Sequence, residues 1–230
     1  MKKKEISIFI ILLISLFSIS AKAQDKTPLT KEEYKELPLY QKSSVGIDVW
    51  GLGSKMFGSD FTSIEGFYAV NLKDRFFPII EIGYGSMNST NDNTNIYYKT
   101  AAPYFRIGMD YNFFYKKPYL PGYLYGGFRV AHSSFSYDVT APDMKDPTWG
   151  DVTVPFSYTG VKTNVTWAEL VVGLKTRIYK NFCMGWSLRY RIQMSMKKSE
   201  NSEPWYIPGY GTNGSTKLGI TYNLIYNLPF

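Results

Sequence analysis

The chain has 230 residues, 44% of them apolar, 17% aromatic and 20% charged, with a formal charge of +7. A mean hydropathy of −0.22 excludes a polytopic helical membrane protein, which needs several apolar runs of roughly 20 residues. The 15 Phe, 5 Trp and 20 Tyr exclude a disordered chain, which is poor in aromatics.

Lys2, Lys3 and Lys4 precede an apolar stretch at 6–19, and Ala21-Lys22-Ala23 follows. A basic start, a short apolar middle and an Ala-x-Ala ending predict a secretory signal peptide over 1–23. No Cys stands near the cleavage point, so a lipid anchor there has no support. Removing Lys2, Lys3, Lys4, Lys22 and Glu5 takes the formal charge from +7 to +4. No basic run remains, so nucleic-acid binding is not expected. Cys183 is the single cysteine and forms no internal disulfide; a secreted domain of this kind is held by its own core or by a membrane. Residues 24–43 are polar and predict a periplasmic leader with one helical turn around Lys31 to Glu36.

From Ser44 the dominant period is two, the mark of strands. The expected strands are 44–52, 60–72, 75–86, 97–115, 122–137, 164–178, 181–196 and a last one ending at Phe230. Their connections alternate. Lys73-Asp74, 116–121 and 179–181 are short, whereas 53–59, 87–96, 138–163 and 197–215 are longer and polar. Eight strands with short turns at one rim and long loops at the other predict an all-β fold: an antiparallel up-and-down transmembrane β-barrel over 44–230. A soluble lipocalin-like barrel would share the period but point its apolar face inward. Strand length, aromatics near strand ends and the segregated loops favour the membrane. Tyr222, Leu224, Tyr226, Leu228 and Phe230 alternate up to the last residue and resemble the signal read by the outer-membrane barrel-insertion machinery. The expected address is the bacterial outer membrane, with its lipid as a partner.

Four stretches carry a more particular likeness: Val45-Gly46-Ile47-Asp48-Val49-Trp50-Gly51-Leu52-Gly53-Ser54-Lys55, Glu81-Ile82-Gly83-Tyr84-Gly85, Ala102-Pro103-Tyr104-Phe105-Arg106-Ile107-Gly108-Met109-Asp110-Tyr111-Asn112 and Pro204-Trp205-Tyr206-Ile207-Pro208-Gly209-Tyr210-Gly211. Over roughly 40–230 the chain resembles an uncharacterised Bacteroidetes family of outer-membrane barrels, classed as a domain of unknown function. In fold alone it is similar to the small OmpA/OmpX-type barrels. The resemblance implies the barrel and its compartment and brings no catalytic residue.

With the polar face inward, the lumen receives Asp48, Glu65, Glu81, Arg106, Asp110, Arg129, Glu169, Lys175, Arg177, Arg189, Arg191 and Lys217. Charges enclosed in so narrow a space must pair. Hairpin register sets Glu169 opposite Arg189 or Arg191. It sets Glu65 near Glu81, a like-charge pair for which Arg106 on the next strand is the expected cation. An ion-paired, plugged lumen follows. His132 falls on the lipid side and is not expected to act as a base, and no metal-ligand spacing or cofactor motif is present. Two loops offer a candidate interaction surface for an unknown extracellular or periplasmic ligand: Trp149, Phe156 and Tyr158 in one, Trp205, Tyr206 and Tyr210 in the other. The residues favour the plainer reading, in which these aromatics pack on each other and cap the barrel mouth. The expected role is non-enzymatic, structural or surface-interacting, with a narrow channel or carrier for a small solute as the other reading.

Overall fold

A computed structural model describes residues 27–51, 53, 59–145, 153–197, 199 and 202–229, with the backbone alone at 142–145 and 153–156. The signal segment, Trp149 and Phe230 lie outside the described residues, as does the side chain of Phe156.

The helix expected in the leader is α1 (Lys31–Glu36), closed at its start by a capping box between Thr30 and Glu33. Backbone and side-chain hydrogen bonds from Thr30 hold the Glu33 carboxyl below its ordinary pKa. The leader is tied to the barrel. The Leu29 N–H donates to the Lys116 carbonyl at 2.8 Å, Lys73 donates to the Lys35 carbonyl at 3.1 Å, and Tyr34 meets Tyr115 edge-on at 5.1 Å.

Ten strands follow: β1 (Tyr40–Asp48), β2 (Phe61–Leu72), β3 (Phe76–Thr90), β4 (Tyr97–Asn112), β5 (Gly122–Lys145), β6 (Thr153–Tyr179), β7 (Phe182–Met196), the short β8 (Tyr206–Ile207) and β9 (Gly211–Thr212), and β10 (Thr216–Asn227). Eight of them close an antiparallel ring in the order β1-β10-β7-β6-β5-β4-β3-β2, and β8 and β9 form a separate hairpin. Every ring neighbour except β1 and β10 follows in chain order, so the barrel is up-and-down, with β8–β9 inserted before the last strand. The β2–β3 turn puts Lys73 and Asp74 at φ 53° and 54°, a left-handed backbone that suits the twist of a tight hairpin. Asn71 braces it by accepting from the Asp74 N–H at 2.8 Å.

The faces are inverted relative to a soluble barrel. Ile80, Ile82, Phe105, Ile107, Leu170 and Leu188 are exposed, while Glu81, Arg106, Glu169 and Arg189 between or beside them are buried. Inside, three layers stack along the axis. Phe77, Ile79, Val171, Cys183 and Ile225 fill the short-turn end. The charged residues occupy the middle. Tyr98, Phe135, Tyr137, Val165 and Trp167 line the long-loop end and surround Tyr206, Ile207 and Tyr210.

Three expectations change. β1 spans Tyr40–Asp48 rather than 44–52: it begins inside the expected leader and ends four residues early, where Trp50, Gly51 and Gly53 are helical. The segment 138–163 is not a free loop: β5 and β6 run on as a two-stranded arm, pairing as far as Lys145 with Thr153. Here the apolar parity reverses, from Phe128 and Val130 outside to Phe135, Tyr137 and Val139 inside, so a single alternation rule ends the strand early. The segment 197–215 contains a hairpin that turns inward.

Inward glycines accept the rings of their cross-strand partners. Gly46 lies opposite Phe67, Gly83 opposite Tyr104 and Gly173 opposite Tyr125, and a Cβ at any of them would meet that ring. Gly83→Leu is therefore expected to displace Tyr104 and cost about 1–3 kcal/mol by overpacking. Urea unfolding from lipid vesicles measures this; an unchanged midpoint would refute the packing role.

Candidate functional site

The charged middle layer is built by strand pairing. β3 and β4 set Glu81 directly opposite Arg106, β5 and β6 set Arg129 opposite Glu169, and β6 and β7 set Glu169 opposite Arg191. Each of these positions points inward because period two puts it there.

Glu81 is the hub. It accepts from Arg189 Nη1 at 2.7 Å, Arg129 Nε at 3.0 Å and Arg106 Nη1 at 3.3 Å. Arg106 also pairs with Glu65 and donates through Nε to Glu169 at 2.9 Å. Arg189 reaches Glu65 at 3.2 Å and Glu169 at 3.4 Å. Arg129 Nη2 meets the Asp110 carboxylate at 2.8 Å, and Arg191 Nε lies 3.3 Å from Glu169. Neutral donors complete the acids: Tyr104 Oη to Glu65 at 2.9 Å and Trp167 Nε1 to Glu169 at 2.7 Å. All eight residues read as a lumen network thus form one connected cluster of four acids and four arginines. The like-charged Glu65 and Glu81 are bridged by Arg106, as the register implied, and also by Arg189.

The remaining lumen candidates scatter. Asp48 is buried at the end of β1, Lys175 donates to Asn227 Oδ1 at 3.1 Å, Lys217 is half-buried, and Arg177 is exposed at the short-turn end. His132 is on the outer face, its Nδ1 2.9 Å from Thr166 Oγ1 and its ring beside Phe105. Among the described residues no group of His, Cys, Asp and Glu could hold a metal ion.

The loop surface needs correction. Tyr206 and Tyr210 are buried and Trp205 is half-buried, so these three do not form an exposed patch. The β8–β9 hairpin enters the barrel mouth because its side chains are apolar and its carbonyls find donors. Arg106 Nη2 donates to the Gly209 carbonyl at 2.7 Å and Arg191 Nη1 to the Tyr210 carbonyl at 2.8 Å. Tyr98 Oη donates to the Tyr206 carbonyl at 2.9 Å, and the Tyr98 ring stacks on Trp205. A readable signal was present, since Trp205-Tyr206-Ile207-Pro208 is too apolar for a solvated loop. Tyr158 is half-buried on the projecting arm. At the other end, Tyr222, Leu224 and Tyr226 point outward from β10, with Tyr222 against Trp186 and Tyr226 against Phe182. Leu228 follows the strand.

A closed ring of eight strands, apolar outside and ion-paired inside, is an outer-membrane β-barrel-like fold. The chain belongs to the DUF6048 family, a domain of unknown function whose family model matches residues 1–230. Among solved structures it is similar to the N-terminal β-barrel domain of Pseudomonas aeruginosa OprF, at 14% identity and TM-score 0.40, over 82% of this chain and 99% of that one. It is also similar to a major outer membrane protein from Thermus thermophilus, at 12% identity and TM-score 0.49, over 83% of this chain and 100% of that one. No curated protein matches the chain.

Removing one partner from a buried ion pair leaves the other charge uncompensated, at a cost of about 3–5 kcal/mol. Glu81→Ala strips an acceptor from three arginines and is expected to fall in that range in urea unfolding from lipid vesicles. Asp110→Ala, which strips one, should cost less; equal losses would contradict the central place of Glu81.

Proposed function

We propose that the protein is a non-enzymatic outer-membrane β-barrel, closed to solutes, with a structural or surface-interaction role exercised from its long-loop end. The observation that carries this reading is the continuous outer belt of aliphatic and aromatic side chains around a charged interior. In water that belt would be an aggregation surface, and in lipid it is the stable arrangement. The signal-like segment 2–23 agrees with the address. Lipid and the insertion machinery are the partners such a barrel requires.

Closure is supported by the filling of the lumen. The ion-pair layer spans it and the β8–β9 hairpin sits over that layer; directly beneath it is a space of about 40 Å³, enough for a few waters at most, and a wider vestibule of about 300 Å³ opens at the short-turn end around Tyr123, Lys175 and Asn227. The non-enzymatic reading rests on the placement of His132 on the outer face, away from every acid of the lumen. For a surface role the β5–β6 arm is the natural element, since it extends past the last pairing of β5 with β4 at Thr140.

Measurements of solubility and of transport test the reading. The folded protein should require detergent and show heat-modifiable gel mobility; a chain that stays soluble without detergent would overturn the membrane assignment. In planar bilayers it should give no steady single-channel currents. Steady currents would instead favour a narrow channel for a small solute, and solute-driven liposome swelling without such currents a carrier.

A further inference from the structure

Among the described residues the barrel wall is interrupted where β1 stops short of its neighbours. β1 pairs with β10 only from Ser44 with Asn227 to Asp48 with Asn223, whereas β10 continues up to Thr216 and β2 up to Phe61. At Asp48 the chain leaves the sheet. Asp48 Oδ1 accepts the backbone N–H of Trp50 and of Tyr222, each at 3.0 Å, and so takes the place of the missing ladder. A helical turn follows, closed by the Gly53 N–H on the Val49 carbonyl at 3.1 Å. It lies against β2, for a Cβ at Gly51 would strike Ser63. Among the described residues no strand pairs with the β1-facing edge of β10 above Tyr222.

Behind this gap is a cavity of about 380 Å³, within the size range of small-molecule sites. Its lining grades from apolar to charged along the way in. Trp50, Leu218 and Ile220 form the rim, and Leu218 is 79% exposed. Deeper are Lys217 and Arg191, with the Glu65–Arg106 pair as the floor and Tyr210 at the back. The acids of this lining are already occupied: Asp48 by two amides, and Glu65 by Arg106, Arg189 and Tyr104. Lys217 has no ion pair among the described residues. Arg191 spends Nη1 on the Tyr210 carbonyl and lies with Nε near Glu169; its Nη2 remains, facing Gly219, where a Cβ would crowd it, so the absence of a side chain leaves that one donor open to the cleft.

We infer that this cleft is a lateral binding site for an amphiphile with an anionic head, its chain lying along Trp50, Leu218 and Ile220 and its head reaching Lys217 and Arg191. Charge complementarity and the apolar-to-charged gradient select that occupant. The inference rests on the outer-membrane reading, because the rim faces lipid only if the barrel spans a membrane.

The test uses the full chain folded in dodecyl maltoside and titrated with lysophosphatidylglycerol brominated in its acyl chain, with tryptophan fluorescence as the readout. Quenching should saturate and should be largely lost in Trp50→Phe. Lys217→Glu should raise the half-quenching concentration about tenfold or more, the scale of one lost charge-assisted hydrogen bond. Gly219→Leu, which fills the cleft, should abolish saturation. Heat-modifiable mobility identifies variants that still fold. Quenching unaffected by Trp50→Phe, or by both Lys217→Glu and Gly219→Leu in folded protein, would overturn the inference. So would equal saturable quenching by a brominated alkyl maltoside, or displacement by inorganic phosphate at equal concentration, since then the head or the chain contributes nothing. Failure of the membrane reading would register separately, as solubility without detergent.

Discussion

Three arginines converge on Glu81, and the interior of the barrel is arranged around that convergence. A carboxylate buried to this depth, 1% exposed, is tolerated only if its charge is matched and its lone pairs are filled. Arg106, Arg129 and Arg189 do both, and each brings a further acid with it: Glu65 and Glu169 for Arg106 and Arg189, Asp110 for Arg129. With Arg191 beside Glu169, the result is electrically balanced and spans the lumen from wall to wall. Because its members come from six different strands, the network also ties together strands that never touch in the sheet. Such a cluster is costly to assemble, and its value lies in specificity: any slip of one residue in register would turn an arginine or a glutamate into the apolar exterior.

The layers above and below depend on this one. Below it, Phe77 stacks on Tyr123 and shields the charges from the short-turn end. Above it, spare donors on Arg106 and Arg191 hold the carbonyls of Gly209 and Tyr210, so the β8–β9 hairpin is fastened by the same side chains that neutralise the acids. The aromatic residues of β4, β5 and β6 then enclose the hairpin. A chain of polar average hydropathy and many aromatics is thereby accounted for: some rings serve the outer belt and others a second, internal core near the mouth.

Much of this was legible in the sequence, for physical reasons that differ by residue. Alternation is a local property, so the strands, their number and the inward direction of Glu81, Arg106 and Glu169 could be read directly. Hairpin register is nearly local, which made Arg106 identifiable as the bridge between Glu65 and Glu81. Contacts across the lumen are not local. Arg189 meets Glu81 across a separation of 108 residues, and that meeting depends on strand tilt and stagger, which one strand's pattern does not encode. The extent of β5 and β6 was missed because the surroundings change along their length, and with them the meaning of an apolar residue. Capping of the mouth by Trp205, Tyr206 and Tyr210 is one of the two readings the sequence allows; the β8–β9 pairing that delivers them is not, because loop length and flanking prolines suggest solvent, whereas the side chains compete better for a vacant aromatic mouth.

The seam between β1 and β10 also bears on how the barrel is made. Neighbouring strands elsewhere are joined by a hairpin or, for β7 and β10, by a single connecting segment, so their pairing closes small loops. Asp48 and Asn223 are separated by nearly the whole barrel, and joining them carries the largest loop-closure entropy in the molecule. Yet this junction has only five paired residues and a carboxylate standing in for further rungs. Ring closure is expected late for that reason, after the curved sheet has zipped from β1 through to β10.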